Sequence, residues 1–304
     1  MRVIAIVNQK GGCGKTTTAV NLGGCLAAES HRVLIVDLDP QAHATLGLGI
    51  DPDQLDENLY EVLAEPGGEN RLDEVGVDVG DNLDVAPSGI VLSALEQKLA
   101  AEPVEVRTER LSTAIARMGD VYDYVLIDCP PNVGLLTFNA LRAASEVIVP
   151  LETSHFAMHG VEKLLETIGL LAERIGHELT VRVLPTLYDG RTRFARQTLA
   201  TIRERFKDMC FDTVIRSNIK LREAAGNGLP ICNYARSATG ALDYAAVALE
   251  VEALGLSVQA ATLGPSLDET KTPREIVVRY RDADASDVRI AGDFNGWIPD
   301  KGVR

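Results

Sequence analysis

No run of about 18 apolar residues occurs anywhere in this 304-residue chain, so no segment is expected to cross a bilayer as a helix. The opening apolar stretch, Val3 to Val7, is far shorter than the core of an export signal. Cysteine is sparse: Cys13, Cys25, Cys129, Cys210 and Cys232 form no CxxC pair and no Cys/His cluster. Neither a structural zinc site nor a disulfide framework is therefore expected, and a reducing cytoplasm is the simplest setting. Internal repeats are absent. Positive charge is in deficit, with 30 basic against 44 acidic residues and a net charge of -14, which argues at first against a nucleic-acid partner.

That average conceals a division. Residues 51–109 carry 16 acidic and 3 basic side chains, a net of -13, whereas residues 186–236 carry 10 basic and 5 acidic, a net of +5. Such asymmetry is consistent either with separate partner surfaces or with solvated helix faces.

The hydrophobic content, 46%, is enough for a sizeable core, and its pattern is informative. Short runs nearly continuous in Val, Ile and Leu (RVIAIVN, RVLIVDLD, YVLIDCP, EVIVPLE, TVRVLPTLY) alternate with stretches of helical period. The latter predict helices at about 16–29, 106–118, 134–144, 159–175, 192–207 and 239–254. Strands this apolar are buried on both faces, so the fold is expected to be α/β, with a mostly parallel sheet flanked by helices. A ligand would then lie beyond the carboxyl ends of the strands, where the Gly-rich loop, Asp37-Leu38-Asp39 and Asp128-Cys129-Pro130-Pro131 all fall.

The loop Gly11-Gly12-Cys13-Gly14-Lys15-Thr16 follows one predicted strand and opens a predicted helix, the context of a phosphate-binding P-loop. Glycines let backbone N–H groups converge on phosphate oxygens, and the helix N-terminus adds partial positive charge. Lys15 would reach the β- and γ-phosphates of a nucleotide, and the Thr16 hydroxyl would ligate Mg²⁺. The standard G-x-x-x-x-G-K-[ST] spacing fails, because Gln9 stands where its first glycine belongs. The run spells K-G-G-x-G-K-T-T instead, with a second lysine, Lys10, ahead of the glycines.

In this the chain resembles the deviant Walker A ATPases, most closely the ParA/Soj-type partition ATPases, over about residues 1–255. The resemblance implies a P-loop NTPase fold, ATP and Mg²⁺ as cofactors, and a nucleotide cradle of Lys10, Gly11, Gly12, Cys13, Gly14, Lys15, Thr16 and Thr17. The lysine matching Lys10 contacts the nucleotide of the other subunit in a sandwich homodimer, much as an arginine finger does. VLIVDLDP resembles the family's second motif: Asp39 orients the attacking water, and Asp37 supports the metal region or the turn. YVLIDCPP resembles a Walker B element whose Asp128 holds Mg²⁺ through water. Lys10, Lys15 and Asp39 are thus the expected catalytic residues, and Thr16, Asp128 and Asp37 the expected metal set. Cys13 and Cys129 are expected to be small packing residues.

The basic half resembles the distal part of Soj-type proteins. Asn218 matches a residue approaching adenine, and Lys220 one contributing to non-specific DNA binding; Arg216 and Ser217 depart from the family's pattern, and no adenine contact is assigned to them. Arg222, Arg236, Arg191 and Arg193 would extend a phosphate-tracking surface that a dimer doubles. The resemblance implies a slow ATPase stimulated by a ParB-like partner, nucleoid-associated, serving chromosome or plasmid partitioning. The same chemistry could position a protein cargo on the nucleoid. A MinD-like membrane switch would need a basic amphipathic C-terminal helix, which this tail does not offer, so no membrane partner is expected. With so few residues ahead of the loop, no helix-turn-helix for operator binding is expected.

Residues 256–273 read as a linker. Beyond it, residues 274–304 form a β-like appendage whose AGDFNGW resembles the opening of the glycogen-binding module of the AMP-activated kinase β subunit. Too few strands and sugar-binding aromatics follow for glucan binding to be expected.

Overall fold

The computed structural model describes residues 1–65, 71–154, 157–176 and 178–262. Residues 1–258 form one compact unit; of the remainder, residues 259–262 are described. The β appendage expected at 274–304, and most of the linker before it, lie outside the described residues.

Seven strands among the described residues make one sheet: β1 (Arg2–Ile6), β2 (Val33–Asp37), β3 (Val77–Gly80), β4 (Leu83–Ala86), β5 (Tyr124–Asp128), β6 (Glu146–Glu152) and β7 (Thr180–Thr186). Their spatial order is β3-β4-β2-β5-β1-β6-β7, and every neighbouring pair is parallel except the antiparallel β3–β4 hairpin. The five Val/Ile/Leu runs became the five central and right-hand strands, and β2 and β5 are buried along their whole length. The β3–β4 hairpin is an addition to the sequence expectation. Acidic residues interleave its apolar ones, because β3 is an edge strand with only part of its surface covered.

The helices are α1 (Lys15–Ala28), α2 (His43–Gly47), α3 (Leu59–Ala64), α4 (Leu95–Lys98), α5 (Val104–Thr108), α6 (Arg110–Met118), α7 (Leu135–Ala143), α8 (Ala157–Ile175), α9 (Arg193–Phe206), α10 (Ile219–Gly226), α11 (Ile231–Tyr234) and α12 (Thr239–Thr262). Alternate residues of β1 feed two cores. Val3 and Ala5 join Leu59, Leu111, Leu141, Leu164 and Ile202 on one face, while Ile4 and Ile6 join Leu22, Leu26, Ile231, Tyr244 and Val247 on the other. Each such Leu or Ile contributes roughly 1.5–3 kcal/mol relative to exposure.

Two helix expectations are corrected. The single helix at 106–118 is broken at Glu109 into α5 and α6, and Asn139 of α7 spans the break: its Nδ2 donates to Arg107 O at 2.9 Å and its Oδ1 accepts from Leu111 N at 3.1 Å. The last helix continues past 254 to Thr262, so the residues read as the start of a linker are helical. Leu256, Gln259, Ala260 and Ala261 are good helix formers, which favours helix over the extended linker that composition suggested.

The acidic segment contains β3 and β4 at one edge of the sheet; the basic segment begins at the end of β7, the opposite edge. The end of the basic segment returns to the β3–β4 hairpin, where Arg236 and Asp81 line one groove.

Candidate functional site

The carboxyl ends of β1, β2 and β5 are neighbours, with Ile6 and Asp37 both in register with Asp128. The phosphate loop leaves β1 at this edge and closes into α1. Gly12 has φ +73° and Gly14, the residue preceding the helix, φ +97°, conformations that an L side chain adopts only at a cost of roughly 1–2 kcal/mol. A Cβ on Gly11 or Gly12 would meet nothing within 4 Å, so these glycines serve the loop's curvature and its open face rather than packing.

Several distant residues hold the loop. Asn8 Nδ2 donates to Pro150 O at 2.6 Å, and Asn8 Oδ1 accepts from Lys10 N at 3.0 Å. From the end of β7, the buried Thr186 hydroxyl donates to Cys13 O at 2.7 Å. Lys15 is 7% exposed, and its ammonium donates to Lys10 O at 3.2 Å. An ammonium has three donors, so further ones remain for an anion. Lys10 differs: it is exposed at the rim, ion-paired with Glu152 at the end of β6, and its Nζ donates to Ser154 Oγ at 3.2 Å.

The acidic side has three carboxylates. Asp37 is fully buried; its Oδ1 accepts from Asp39 N at 3.1 Å, and its Oδ2 from Thr45 N at 2.9 Å and Thr45 Oγ1 at 2.8 Å. Burial pushes its carboxyl up to about 6, against the opposing effect of the Thr45 bonds. Of the two roles the sequence leaves open for Asp37, holding the turn is the one these bonds perform. Asp39 is nearly buried, and its Oδ1 accepts from Gln41 N at 3.0 Å. Asp128 is wholly buried, yet neither carboxylate oxygen has a hydrogen-bond partner in satisfactory geometry among the described residues. Burial and then repulsion from Asp37 hold its carboxyl well above the ordinary range, while nearby Thr16 and Lys15 favour the charged form.

A buried carboxylate without a partner is costly unless something else satisfies it. Beside Thr16 it is an oxygen donor set suited to a hydrated Mg²⁺, and the open glycine loop with Lys15 suits a polyphosphate. The residues therefore fit the metal and nucleotide that the motif implies. Cys13 and Cys129 are buried, and burial raises both thiols.

The other expected residues sit farther along the same edge. Tyr188 bridges to Arg216, which brings the loop holding Arg191, and the start of α9 at Arg193, beside the segment holding Asn218 and Lys220. Asn218 caps α10, its Oδ1 accepting from Lys220 N at 2.9 Å, and its amide bonds Thr239. Lys220 pairs with Glu223 at 2.6 Å, and Arg191 with Asp189 at 2.8 Å. Arg193 and Arg222 are exposed and make no ion pair among the described residues. Arg236 lies apart from the phosphate loop, lining a groove with Ala27, Ala28, Gly80 and Asp81 at the far end of α1.

Thr186, Asn8, Thr45 and Glu152 are the site residues that sequence reasoning missed. For Thr186, Asn8 and Glu152 the position at or just beyond a strand's carboxyl end was the available signal; Thr45 lies on α2 and carried none.

Comparison with known proteins places this geometry in context. A family model described as an AAA domain matches residues 1–181. The sporulation initiation inhibitor protein Soj of Bacillus subtilis (strain 168) is 41% identical over 255 residues, 84% of this chain and 99% of that protein. The chromosome partitioning protein ParA of Caulobacter vibrioides is 40% identical over 255 residues, covering 83% of this chain and 94% of its own. Among solved structures, a cobyrinic acid a,c-diamide synthase from Mycobacterium smegmatis with bound ADP and magnesium has a TM-score of 0.71 at 33% identity, covering 87% of this chain and 96% of that one.

Proposed function

The chain belongs to the ParA/Soj family of partition ATPases, and from that premise we propose that it is an ATP-gated switch acting in chromosome or plasmid partitioning. It is an ATPase that uses ATP and Mg²⁺. Two ATP-loaded copies pair through their nucleotide sites, the pair binds DNA regardless of sequence, and a ParB-like partner stimulates the hydrolysis that separates them.

The observation that carries this reading is the placement of Lys10. It is the loop's second cation, yet it stands exposed at the rim, held by Glu152 rather than turned into its own cradle. An exposed ion pair contributes only about 0.2–1 kcal/mol. Exchanging it for a desolvated polyphosphate across an interface therefore costs little and gains a stronger charge contact.

The remaining roles follow from the same geometry. The loop N–H groups and Lys15 bind and orient the phosphates. Mg²⁺, when bound, draws charge from the phosphate oxygens, with Thr16 and Asp128 as the residues that would hold it. Asp39, on a turn fixed by Asp37 and Thr45, positions the attacking water. Lys220, Arg222, Arg236, Arg191 and Arg193 contribute to the DNA surface. Lys220 and Arg191 must exchange intramolecular partners for phosphate, so each adds a modest, salt-sensitive increment.

Sedimentation with a non-hydrolysable ATP analogue tests the reading. The native chain is expected to dimerise, and Lys10→Ala to bind nucleotide yet stay monomeric. A native chain that remains monomeric at high concentration would overturn the switch.

A further inference from the structure

The sequence spaces its cysteines so widely that none suggests a pair, but the fold brings two together. Cys25 lies near the end of α1 and Cys232 within α11. Asn21, one turn before Cys25, docks α11 by accepting from Ile231 N at 2.7 Å, and its own amide donates to Thr17 O at 2.7 Å. The packing uses the missing side chain of Gly24: a Cβ there would lie 2.4 Å from Pro230 Cβ and 3.0 Å from Cys232 Sγ.

Both cysteines are free, 4% and 8% exposed, and both line one surface groove of about 330 Å³ together with Ala28, Arg236, Ala241 and Leu242. Each thiol is the strongest influence on the other, pushing Cys25 up and pulling Cys232 down, with backbone N–H groups and Arg236 adding to the second effect. Cys232 also donates to Asn233 Oδ1 at 3.2 Å, and Arg236 Nε donates to Cys232 O at 3.3 Å. Nothing in the nucleotide chemistry uses either sulfur; Cys25 is about 15 Å along α1 from Lys15 at the usual helical rise.

We propose that Cys25 and Cys232 are a peroxide-responsive dithiol site, which closes to an intramolecular disulfide and ties the phosphate-binding helix α1 to α11. The Cys232 thiolate attacks one peroxide oxygen, forming an S–O bond as the O–O bond breaks, and the released hydroxide takes up a proton to leave as water. The Cys25 sulfur then attacks the sulfenic sulfur; the S–S bond forms, the S–O bond breaks, and the hydroxide leaves as a second water with the Cys25 proton. Two thiols are oxidised by two electrons in all, and one hydrogen peroxide is reduced to two waters. The helices are already docked in the thiol form through Asn21, with both cysteines on one groove. In a reducing compartment the bond is transient and returns to the dithiol by thiol exchange.

The test uses the full chain, freshly reduced and exposed to a small excess of hydrogen peroxide, then blocked with an alkylating reagent under denaturing conditions. Peptides are mapped without reduction. Two of the five thiols are expected to disappear, with one linked peptide joining Cys25 to Cys232, a melting temperature raised by several degrees, and full reversal by dithiothreitol. In Cys25→Ser, peroxide is expected to give a sulfenic acid at Cys232, trapped by dimedone, and no link. Retention of all five thiols in the native chain, or their loss through links at other positions or between chains, would overturn the proposal. That mapping needs no variant to fold.

Discussion

Thr186→Val isolates one long-range hydrogen bond in the phosphate loop. The substitution keeps the shape of the side chain and removes the hydroxyl that donates to Cys13 O at 2.7 Å, in surroundings where Thr186 is 1% and Cys13 0% exposed. A buried carbonyl that loses its donor costs roughly 1–3 kcal/mol. The affected carbonyl belongs to the loop itself, so the loss falls on the order of the nucleotide cradle. At about 1.4 kcal/mol per tenfold, ATP binding should weaken by roughly 5- to 150-fold. Titration with a fluorescent ATP analogue measures this, and a thermal melt reports any part of the cost that falls on global stability. Thr186→Ser keeps the hydroxyl and should bind within about fourfold of the native chain, since one methyl is worth about 0.8 kcal/mol. If the valine variant binds and melts as the native chain does, the bond does not hold the loop. If serine is as damaging as valine, the methyl packing near Gly14, 3.8 Å from a Cβ built there, matters as well.

Asp128→Asn should abolish Mg²⁺-dependent hydrolysis. Because burial and Asp37 disfavour the charged form of Asp128, the variant's stability relative to the native chain, read by urea unfolding in metal-free buffer, should rise as pH rises above the ordinary carboxylate range, and a difference that does not change with pH would refute this. Glu152→Gln frees Lys10 and should tighten nucleotide-driven dimerisation up to about fivefold, the worth of an exposed ion pair; weaker dimerisation would mean that Glu152 assists the interface. Lys220→Glu should lower DNA affinity and reduce the salt slope by about one for each phosphate no longer neutralised, with ATP binding intact. Equal affinity at low salt would remove Lys220 from the DNA surface.

The sequence by itself determined what depends on local backbone demands. Glycines followed by Lys15 and Thr16 between an apolar run and a helical period specify a P-loop, since φ values such as those of Gly12 and Gly14 are open to few other residues. Runs of Val, Ile and Leu likewise specified five buried parallel strands, because only a doubly covered sheet hides both faces. The tertiary structure decided which groups answer one another across the chain. Strand order brings Glu152 to Lys10 and Thr186 to Cys13; Thr45 occupies Asp37, Asp128 is left without a well-aligned hydrogen-bond partner among the described residues, and α11 sets Cys232 on the same groove as Cys25. No local pattern encodes such pairings. They arise when the sheet closes long loops, and a side chain's partner is then set by neighbouring strand ends rather than by neighbouring residues.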